Sequence, residues 1–345
     1  LMKKIMAMII MAILALSTSA FAADTPSSVA HAHALWTESF DSATEMAQSA
    51  DVVAIGTVSS QQTETRCNLV FTRSTITIDQ LYSGSVQDDC LQVVQTGGVS
   101  GDLYTPEFDD APLMEIGQTY VLFLKYVNDP DYGEYYRVLS GGMGCVSAVD
   151  AFLSSTDSYS SMLNKVEDTI NSPIALYATS TPTYGGKFSS GNVSVYYTTT
   201  VTSTMKNNIS STINSWGSRS STSGVSISTA STTKSSNQIR VFAGKYGDTG
   251  WAGHVYNYDA DGNYNPSYTY IFALSYVQLN TSEQSASSST WKYVALHEVG
   301  HSLGLKDVSN PSYATVMSNF YDDVVNSGYT SPQDADFNGL KTLYK

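Results

Sequence analysis

Five residues near the C-terminus have types and spacings that could bind a metal ion and activate a water molecule. His297 and His301 are four residues apart, so on a helix they lie on one face and can bind the same ion. Glu298 stands beside the first histidine, where its carboxylate can reach a water molecule on that ion. Gly304 can end the helix in a left-handed turn and bring Asp307 back as a third ligand. The run from His297 to Asp307 therefore predicts a zinc site with its own general base.

The third ligand decides the kind of zinc site, because hydrolytic zinc usually takes three protein ligands and one water. After His301 the sequence contains neither glutamate nor histidine, which excludes a site completed by a distant glutamate. The remaining candidates are aspartates, and Asp307 is favoured because only two residues separate it from Gly304. The other aspartates downstream are Asp322, Asp323, Asp334 and Asp336.

A second polar cluster, Asp259, Asp261 and Asn263, invites a calcium site because its oxygen side chains alternate around a glycine. Gly262 comes at position four of this run, whereas the EF-hand loop has its glycine at position six. A polar turn between two strands is therefore the preferred interpretation, with calcium as the alternative.

The N-terminus has the pattern of a cleavable signal peptide over residues 1–22. Two lysines precede an apolar run over residues 5–16, and Ala20 and Ala22 supply the small residues at a cleavage site. The run is too short to cross a bilayer, so no membrane anchor is predicted. A net charge of −14 and a pI near 4.6 argue against nucleic acid or an anionic membrane as partner. We expect a secreted, extracellular protein.

The rest of the chain is predicted to form an α+β protein of two domains. Short apolar runs separated by turn residues predict a small all-β barrel or sandwich over residues 23–150, with strands near 52–56, 74–78, 91–94 and 120–124. A helix and an exposed linker fill residues 151–185. Residues 186–345 alternate strands with a helix over 201–216, which predicts a layered sheet with the metal helix behind it.

Three cysteines, Cys67, Cys90 and Cys145, lie in the first half of the chain. An exported protein can keep a disulfide, so we expect Cys145 to pair with Cys67 or Cys90 and one thiol to remain. The alternative is that the Cys145 thiolate caps the zinc of an inactive precursor.

From residue 186 onward the sequence resembles the metzincin zinc endopeptidases, whose signature is H-E-x-x-H-x-x-G-x-x-(H or D) followed by a Met-turn. The aspartate variant is similar to the snapalysin-type proteases of secreting bacteria, and Met317 stands where the Met-turn belongs. The resemblance implies a twisted mixed sheet with two to three helices and polypeptide substrates that pair with the strand at 251–258. It also raises Tyr321 as a possible transition-state stabiliser, although a packing role is preferred for Tyr321, as it is for His254.

The predicted function is that of a secreted zinc metalloendopeptidase, with the N-terminal domain as propeptide or accessory module. Zinc bound by His297, His301 and Asp307 would acidify a water molecule, and Glu298 would accept its proton and pass it to the leaving amine. The predicted pH optimum is neutral to mildly alkaline. Two alternatives remain open: a non-catalytic binding or adhesion protein with a zincin-like domain, and a zinc amidase that acts on cell-wall peptides.

Overall fold

The structure is a computed structural model that describes residues 32–108, 110–151, 153, 157–170, 180–262, 271–285, 288–308 and 313–345. The predicted signal peptide and Asn263 lie outside the described residues, as does much of the predicted linker. The described part of the chain is of mixed α+β type, with several sheets and seven α-helices. No helix within it is long and apolar enough to span a membrane.

The N-terminal half is built on six strands: β2 (Val52–Arg66), β3 (Leu69–Ser83), β4 (Cys90–Thr96), β7 (Thr119–Asp129), β8 (Gly133–Val138) and β9 (Cys145–Ser147). Their order is β2-β3-β4-β8-β7-β9, and β7 also pairs with β2. The five strands β2, β3, β4, β8 and β7 therefore form a closed ring of pairings. The pairing of β4 with β8 is parallel and the other pairings are antiparallel. A short hairpin, β5 (Gly98–Ser100) and β6 (Leu103–Thr105), lies outside this sheet.

Two helices cover one side of these strands. Helix α1 (Ala43–Ser49) begins after Ser42, whose hydroxyl accepts the N–H of Glu45, and α2 (Tyr159–Ile170) packs beside it. Apolar residues of both helices join residues of β2 and β7 in one buried cluster.

The second sheet has the strand order β1-β14-β16-β13-β11-β12, from β1 (His33–Trp36), β11 (Asn192–Tyr197), β12 (Ser226–Thr229), β13 (Gln238–Gly244), β14 (Trp251–Tyr258) and β16 (Leu274–Asn280). The four strands β12, β11, β13 and β16 are parallel, whereas β14 runs antiparallel to β16. Two short strands, β10 (Lys187–Phe188) and β15 (Ile271–Phe272), pair separately. The sheet is therefore mixed, as expected for the C-terminal half.

Five helices accompany the second sheet: α3 (Ser203–Ser215), α4 (Ser220–Ser223), α5 (Trp291–Ser302), α6 (Tyr321–Asn326) and α7 (Asp334–Tyr344). Helix α3 corresponds to the helix predicted over 201–216, and it begins after Thr202, whose hydroxyl accepts the N–H of Met205. Helix α5 packs on β14, β16 and α3, so its two faces are both buried in one apolar core.

Strand β1 was not foreseen in this sheet. It lies at the start of the N-terminal region, yet it pairs antiparallel with β14 more than 200 residues later. The two halves also share a buried cluster in which Phe71 and Phe108 of the N-terminal half meet Trp251 and Tyr256 of β14. The edge strand predicted to receive substrate is consequently covered from two directions.

Candidate metal centre

The metal helix is mostly apolar around the three residues that could do chemistry, His297, Glu298 and His301. Val294, Leu296 and Val299 pack into the core between sheet and α3, and this burial fixes the rotation of α5. With that rotation fixed, the rings of His297 and His301 lie together with their centroids 4.7 Å apart. Spacing along the helix and packing around it thus set the two histidines in one place.

Gly304 ends α5 in the predicted left-handed turn, with φ of +101°. The N–H of Gly304 donates to the carbonyl of His301 and the N–H of Leu305 to that of Gly300, which is the Schellman arrangement of bonds. A side chain at Gly304 would strike the carbonyl of Gly186. The turn reverses the chain and carries Asp307 back to the histidines.

Three potential ligand atoms meet at this point. Nε2 of His297 lies 3.0 Å from Nε2 of His301, and Oδ1 of Asp307 lies 3.3 Å and 3.2 Å from these two nitrogens. A tetrahedral zinc with bonds near 2.0–2.1 Å separates its ligand atoms by about 3.3 Å. Among the described residues, these three form the only group of at least three His, Cys, Asp or Glu side chains close enough to share an ion.

Hydrogen bonds on the far side of each ring select the nitrogen that faces the site. Nδ1 of His297 lies 2.9 Å from the carbonyl of Val316, and Nδ1 of His301 lies 2.9 Å from the carbonyl of Leu305. Because a carbonyl only accepts, each Nδ1 carries the proton and donates it, which leaves the lone pair on Nε2. Two lone pairs and a carboxylate at such separations need a cation between them, so the donor set fits a divalent metal such as zinc.

The pKa of His301 also indicates that the site favours a positive charge. Burial lowers the pKa of His301, but the charge of Asp307 and a hydrogen bond to it outweigh burial and raise the pKa to about 9. Surroundings that favour a positive charge on His301 also favour a metal cation beside it.

Met317, the residue at the expected Met-turn, lies against the metal helix between the two histidines. Its side chain is fully buried and packs against Gly300, where an added Cβ would overlap the thioether sulfur. The carbonyl of Met317 accepts the N–H of Val308, the residue after Asp307, over 2.7 Å. The turn that holds Met317 therefore also holds the segment that carries the third candidate ligand.

Asp336 anchors this turn from helix α7, a role that the sequence did not reveal. Its Oδ1 accepts the hydroxyls of Thr181 (2.7 Å) and Thr315 (2.5 Å), and its Oδ2 accepts the N–H groups of Val316 (3.2 Å) and Gln333 (2.8 Å). These four bonds occupy the carboxylate that sequence reasoning had left as an alternative ligand. Burial raises the pKa of Asp336, while the four donors oppose that shift.

Glu298 lies beside the three ligand atoms and is fully buried against β14. A Cβ added to Gly253 would come within 2.8 Å of its Oε1, so this glycine makes room for the carboxylate. Burial raises the pKa of Glu298 well above its ordinary value, against the lowering effect of His301. The Leu35 backbone lies close enough to lower this pKa, but among the described residues neither oxygen makes a hydrogen bond of normal geometry. A carboxylate kept so poorly solvated binds a proton strongly, as a general base must.

Tyr321, Asp323 and Asp334, the other residues considered for the site, have partners of their own. The Tyr321 hydroxyl donates to Gln284 over 3.1 Å and its ring packs on the apolar core, so the transition-state role stays a prediction. Asp323 accepts the Ser318 hydroxyl, and Asp334 forms an exposed ion pair with Arg219.

His254 has the packing role that was preferred for it. Its ring is fully buried among Phe108, Trp251 and Tyr256, with centroids 4.5 to 5.6 Å away. Burial lowers the pKa of His254 to about 3, so the ring is neutral.

The calcium interpretation gains no support. Asp259 and Asp261 lie at a turn in which the N–H of Gly262 donates to the carbonyl of Asp259, and Asn263 falls outside the described residues.

The expected disulfide is wrong, because Cys67, Cys90 and Cys145 are all free thiols. Cys67 lies at the turn between β2 and β3, where its Sγ donates to the carbonyl of Lys245. Cys145 pairs through its backbone with Leu122 in the N-terminal sheet. Burial raises the pKa of the Cys145 thiol to about 12, opposite to the lowered pKa that a zinc-capping thiolate requires.

The C-terminal part of the chain is similar to a known peptidase family. Residues 193–345 match the family model Peptidase_M10, described as matrixin. The match supports a metallopeptidase of the metzincin kind in this part of the chain. Among solved structures, the chain is similar to myroilysin at 17% identity and a TM-score of 0.24, over 35% of this chain. It spans 51% of that structure, an overlap too small to bear on the fold. No curated protein matches the sequence.

Proposed function

We propose that this protein is a secreted zinc metalloendopeptidase that hydrolyses peptide bonds in polypeptide substrates. The observation that carries the proposal is the set of three ligand atoms, separated by 3.0 to 3.3 Å, with the unpartnered Glu298 carboxylate beside them. The matrixin match over residues 193–345 supports peptidase chemistry, and the signal-like pattern of residues 1–22 supports export.

In this proposal His297, His301 and Asp307 hold one zinc ion. Zinc, when bound, supplies Lewis acidity that lowers the pKa of a water molecule and polarises a peptide carbonyl. Glu298 accepts the proton of the attacking water and then delivers it to the amine of the leaving peptide. Burial raises the pKa of Glu298, and the positive charge of a bound zinc would oppose that shift and leave the carboxylate ionised to accept the proton.

The N-terminal half enters this proposal as a small β-barrel, since the β2–β7 pairing joins the two ends of its five-stranded order. It contributes none of the three ligand atoms. Its place over β14 suits a propeptide or an accessory module of the peptidase.

The test compares wild type with Glu298→Ala, each assayed for zinc content and for hydrolysis of a denatured, fluorescently labelled protein. We expect the variant to keep one zinc per chain and to lose roughly 10²–10⁴-fold in rate, the usual contribution of a general base. Both proteins are assayed as the full chain and again after proteolytic removal of the N-terminal half.

Two outcomes favour the alternatives. Absence of hydrolysis by zinc-loaded wild type in both forms would favour a binding protein, whereas cleavage of cell-wall peptides without cleavage of proteins would favour the amidase. Loss of zinc in Glu298→Ala would show that this residue is a ligand and not the base.

A further inference from the structure

The buried core between helix α5 and the second sheet is apolar along most of its length. Under the last turn of α5 the pattern changes, because polar side chains meet there from the sheet and from the helix. They are Asn257 of β14, Ser275 of β16 and Ser302 of α5. The two serines are fully buried and Asn257 is partly buried. A buried hydroxyl is unfavourable unless it is hydrogen-bonded, so the partners of these side chains decide what they contribute.

The two serines form one chain of hydrogen bonds that ends on the residue of the proposed base. The Ser275 hydroxyl donates to the Ser302 hydroxyl over 2.8 Å, and the Ser302 hydroxyl donates to the backbone carbonyl of Glu298 over 3.2 Å. The chain crosses from sheet to helix. It therefore joins β16 to the part of the α5 backbone that carries the base.

Asn257 makes a contact of the same kind from the neighbouring strand. It lies directly opposite Ser275 in the pairing of β14 with β16, so the two side chains leave the same face of the sheet. The Nδ2 of Asn257 donates to the backbone carbonyl of His301 over 3.4 Å. Two strands thus bond the carbonyls of the proposed base and of one candidate ligand.

These bonds give the helix something that apolar packing does not supply. Apolar contact is non-directional, so it holds α5 on the sheet without selecting one position along the helix axis. Hydrogen bonds accept only a narrow range of distance and angle, so a hydroxyl pair between helix and sheet selects one position and one rotation. A single buried polar residue fixes the register of helices in coiled coils in this way. A metal site needs such precision, because its ligand distances must hold within about 0.2 Å.

We infer that Ser275 and Ser302 are positioning residues of the metal centre, with Asn257 as a second contact of the same kind. They hold the last turn of α5 at one place on the sheet, so that the two histidines meet one metal ion and Glu298 faces its water molecule. Both serines act through the backbone of α5 and not through the ligand atoms. This role rests on the proposed function where hydrolysis is concerned, whereas metal binding tests it independently.

Two substitutions at Ser275 separate the hydroxyl from the volume of the side chain. Threonine and valine have nearly the same shape and both suit a β-strand, but only threonine keeps the hydroxyl. In the full chain, Ser275→Val should bind zinc roughly 10–100-fold more weakly than Ser275→Thr, the usual effect of losing a group that orients a metal ligand. Competition with a chromophoric chelator measures this difference.

The Co²⁺ form of each protein adds a spectroscopic readout, because the visible absorption of bound cobalt follows the geometry of its ligands. The spectrum of Ser275→Thr should match that of wild type, and the spectrum of Ser275→Val should differ from it. Hydrolysis is measured at saturating zinc, in whichever form of the wild type cleaves the denatured substrate. Relative to threonine, valine should lower kcat roughly tenfold and leave KM unchanged, because the site is displaced while the substrate contacts remain.

Ser302→Ala removes the second hydroxyl of the pair. The double variant Ser275→Ala/Ser302→Ala should lose no more zinc affinity than the weaker-binding single variant, because both hydroxyls act through one chain of bonds. The matched control is Ser223→Ala. Ser223 is also fully buried at the end of a helix, and its hydroxyl donates to the carbonyl four residues earlier, that of Arg219, over 3.1 Å. The control loses the same type of bond outside α5, so its zinc affinity should not change.

The readouts keep the positioning role apart from the peptidase. Weaker zinc binding and an altered cobalt spectrum in Ser275→Val alone, in a protein that never hydrolyses substrate, would sustain positioning and refute the peptidase. Threonine and valine variants with the same zinc affinity, spectrum and kcat would overturn positioning, whether they match wild type or lose equally, and would leave the peptidase intact. If Ser275→Val does not fold, Ser302→Ala decides instead, and a zinc affinity equal to that of Ser223→Ala would overturn the role.

Discussion

Asp336 offers the sharpest test of how the metal centre is held, because it does not touch any of the three ligand atoms. It bonds the N–H of Val316, whose carbonyl accepts the Nδ1–H of His297. Replacing Asp336 by alanine leaves the N–H groups of Val316 and Gln333 without their acceptor in a buried place. Each such donor costs about 1–3 kcal/mol, so the pair costs roughly 2–6 kcal/mol.

The hydroxyls of Thr181 and Thr315 are not counted in that sum, since they lie 3.2 Å apart and can bond to each other. With about 3 kcal/mol as a working value, the Tm of the zinc-loaded protein should fall by roughly 6–12 °C. The zinc affinity should fall by roughly 10–100-fold, because His297 loses the support that orients its ring. Circular dichroism melting and competition with a chromophoric chelator measure these two quantities.

Two further variants show which property of Asp336 matters. Asp336→Asn should recover most of the loss, because its amide oxygen can accept both backbone N–H groups while the two hydroxyls turn to accept from its NH₂. Asp334→Asn, on an 82% exposed side chain of the same helix, should change the stability by no more than about 0.5 kcal/mol. An alanine variant of Asp336 that melts within about 2 °C of wild type with unchanged zinc affinity would refute the anchoring role.

Three other substitutions test the candidate ligand Asp307, the contact between Gly300 and Met317, and the buried carboxyl of Glu283. Loss of a group that orients a metal ligand lowers metal affinity by roughly 10–100-fold. Asp307→Ala removes a ligand itself, so it should lower the zinc affinity by more than this, as measured by chelator competition. Gly300→Ala should lower stability by about 1–3 kcal/mol in thermal melts, because its methyl group meets the sulfur of Met317; an increase, as helix propensity alone predicts, would contradict that contact. Burial and the charge of Asp248 raise the pKa of Glu283 to about 7. The folded state therefore binds this proton more tightly than the unfolded state, and the contribution of Glu283 to stability falls as pH rises from about 4.5 to about 7. In melts across this range, stability should fall more steeply in wild type than in Glu283→Gln, because the variant lacks the contribution of this group.

The parts of the site that could be predicted are those fixed by short stretches of chain. The spacing of His297 and His301 matters only on a helix, and the apolar residues between them indicated a buried helix. The turn at Gly304 could be predicted from the residue type alone, because a left-handed φ favours glycine. Asp307 followed from that turn by length alone, since two intervening residues leave little freedom.

The parts that could not be predicted depend on pairing across long separations. Asp336 looked like any of the five aspartates after His301, and only the packing of α7 on the Met-turn gives it its four donors. The free thiols follow the same rule, because sequence spacing does not determine which strands carry Cys67, Cys90 and Cys145. Four residues of β1 have too little pattern to predict a partner strand 215 residues or more away.

The position of β1 also answers a problem that the sheet itself creates. Without β1, β14 would present a row of open N–H and C=O groups beside an apolar core, and such an edge pairs readily with other chains. In the proposed function, a polypeptide substrate would pair with the same row of groups. Covering the edge with a strand of the same chain protects the protein from edge-to-edge association for as long as the site is closed. Release of β1 should therefore raise the tendency of the protein to associate, and a protein cut after Phe40 that loses β1 but remains strictly monomeric at high concentration would contradict this protective role.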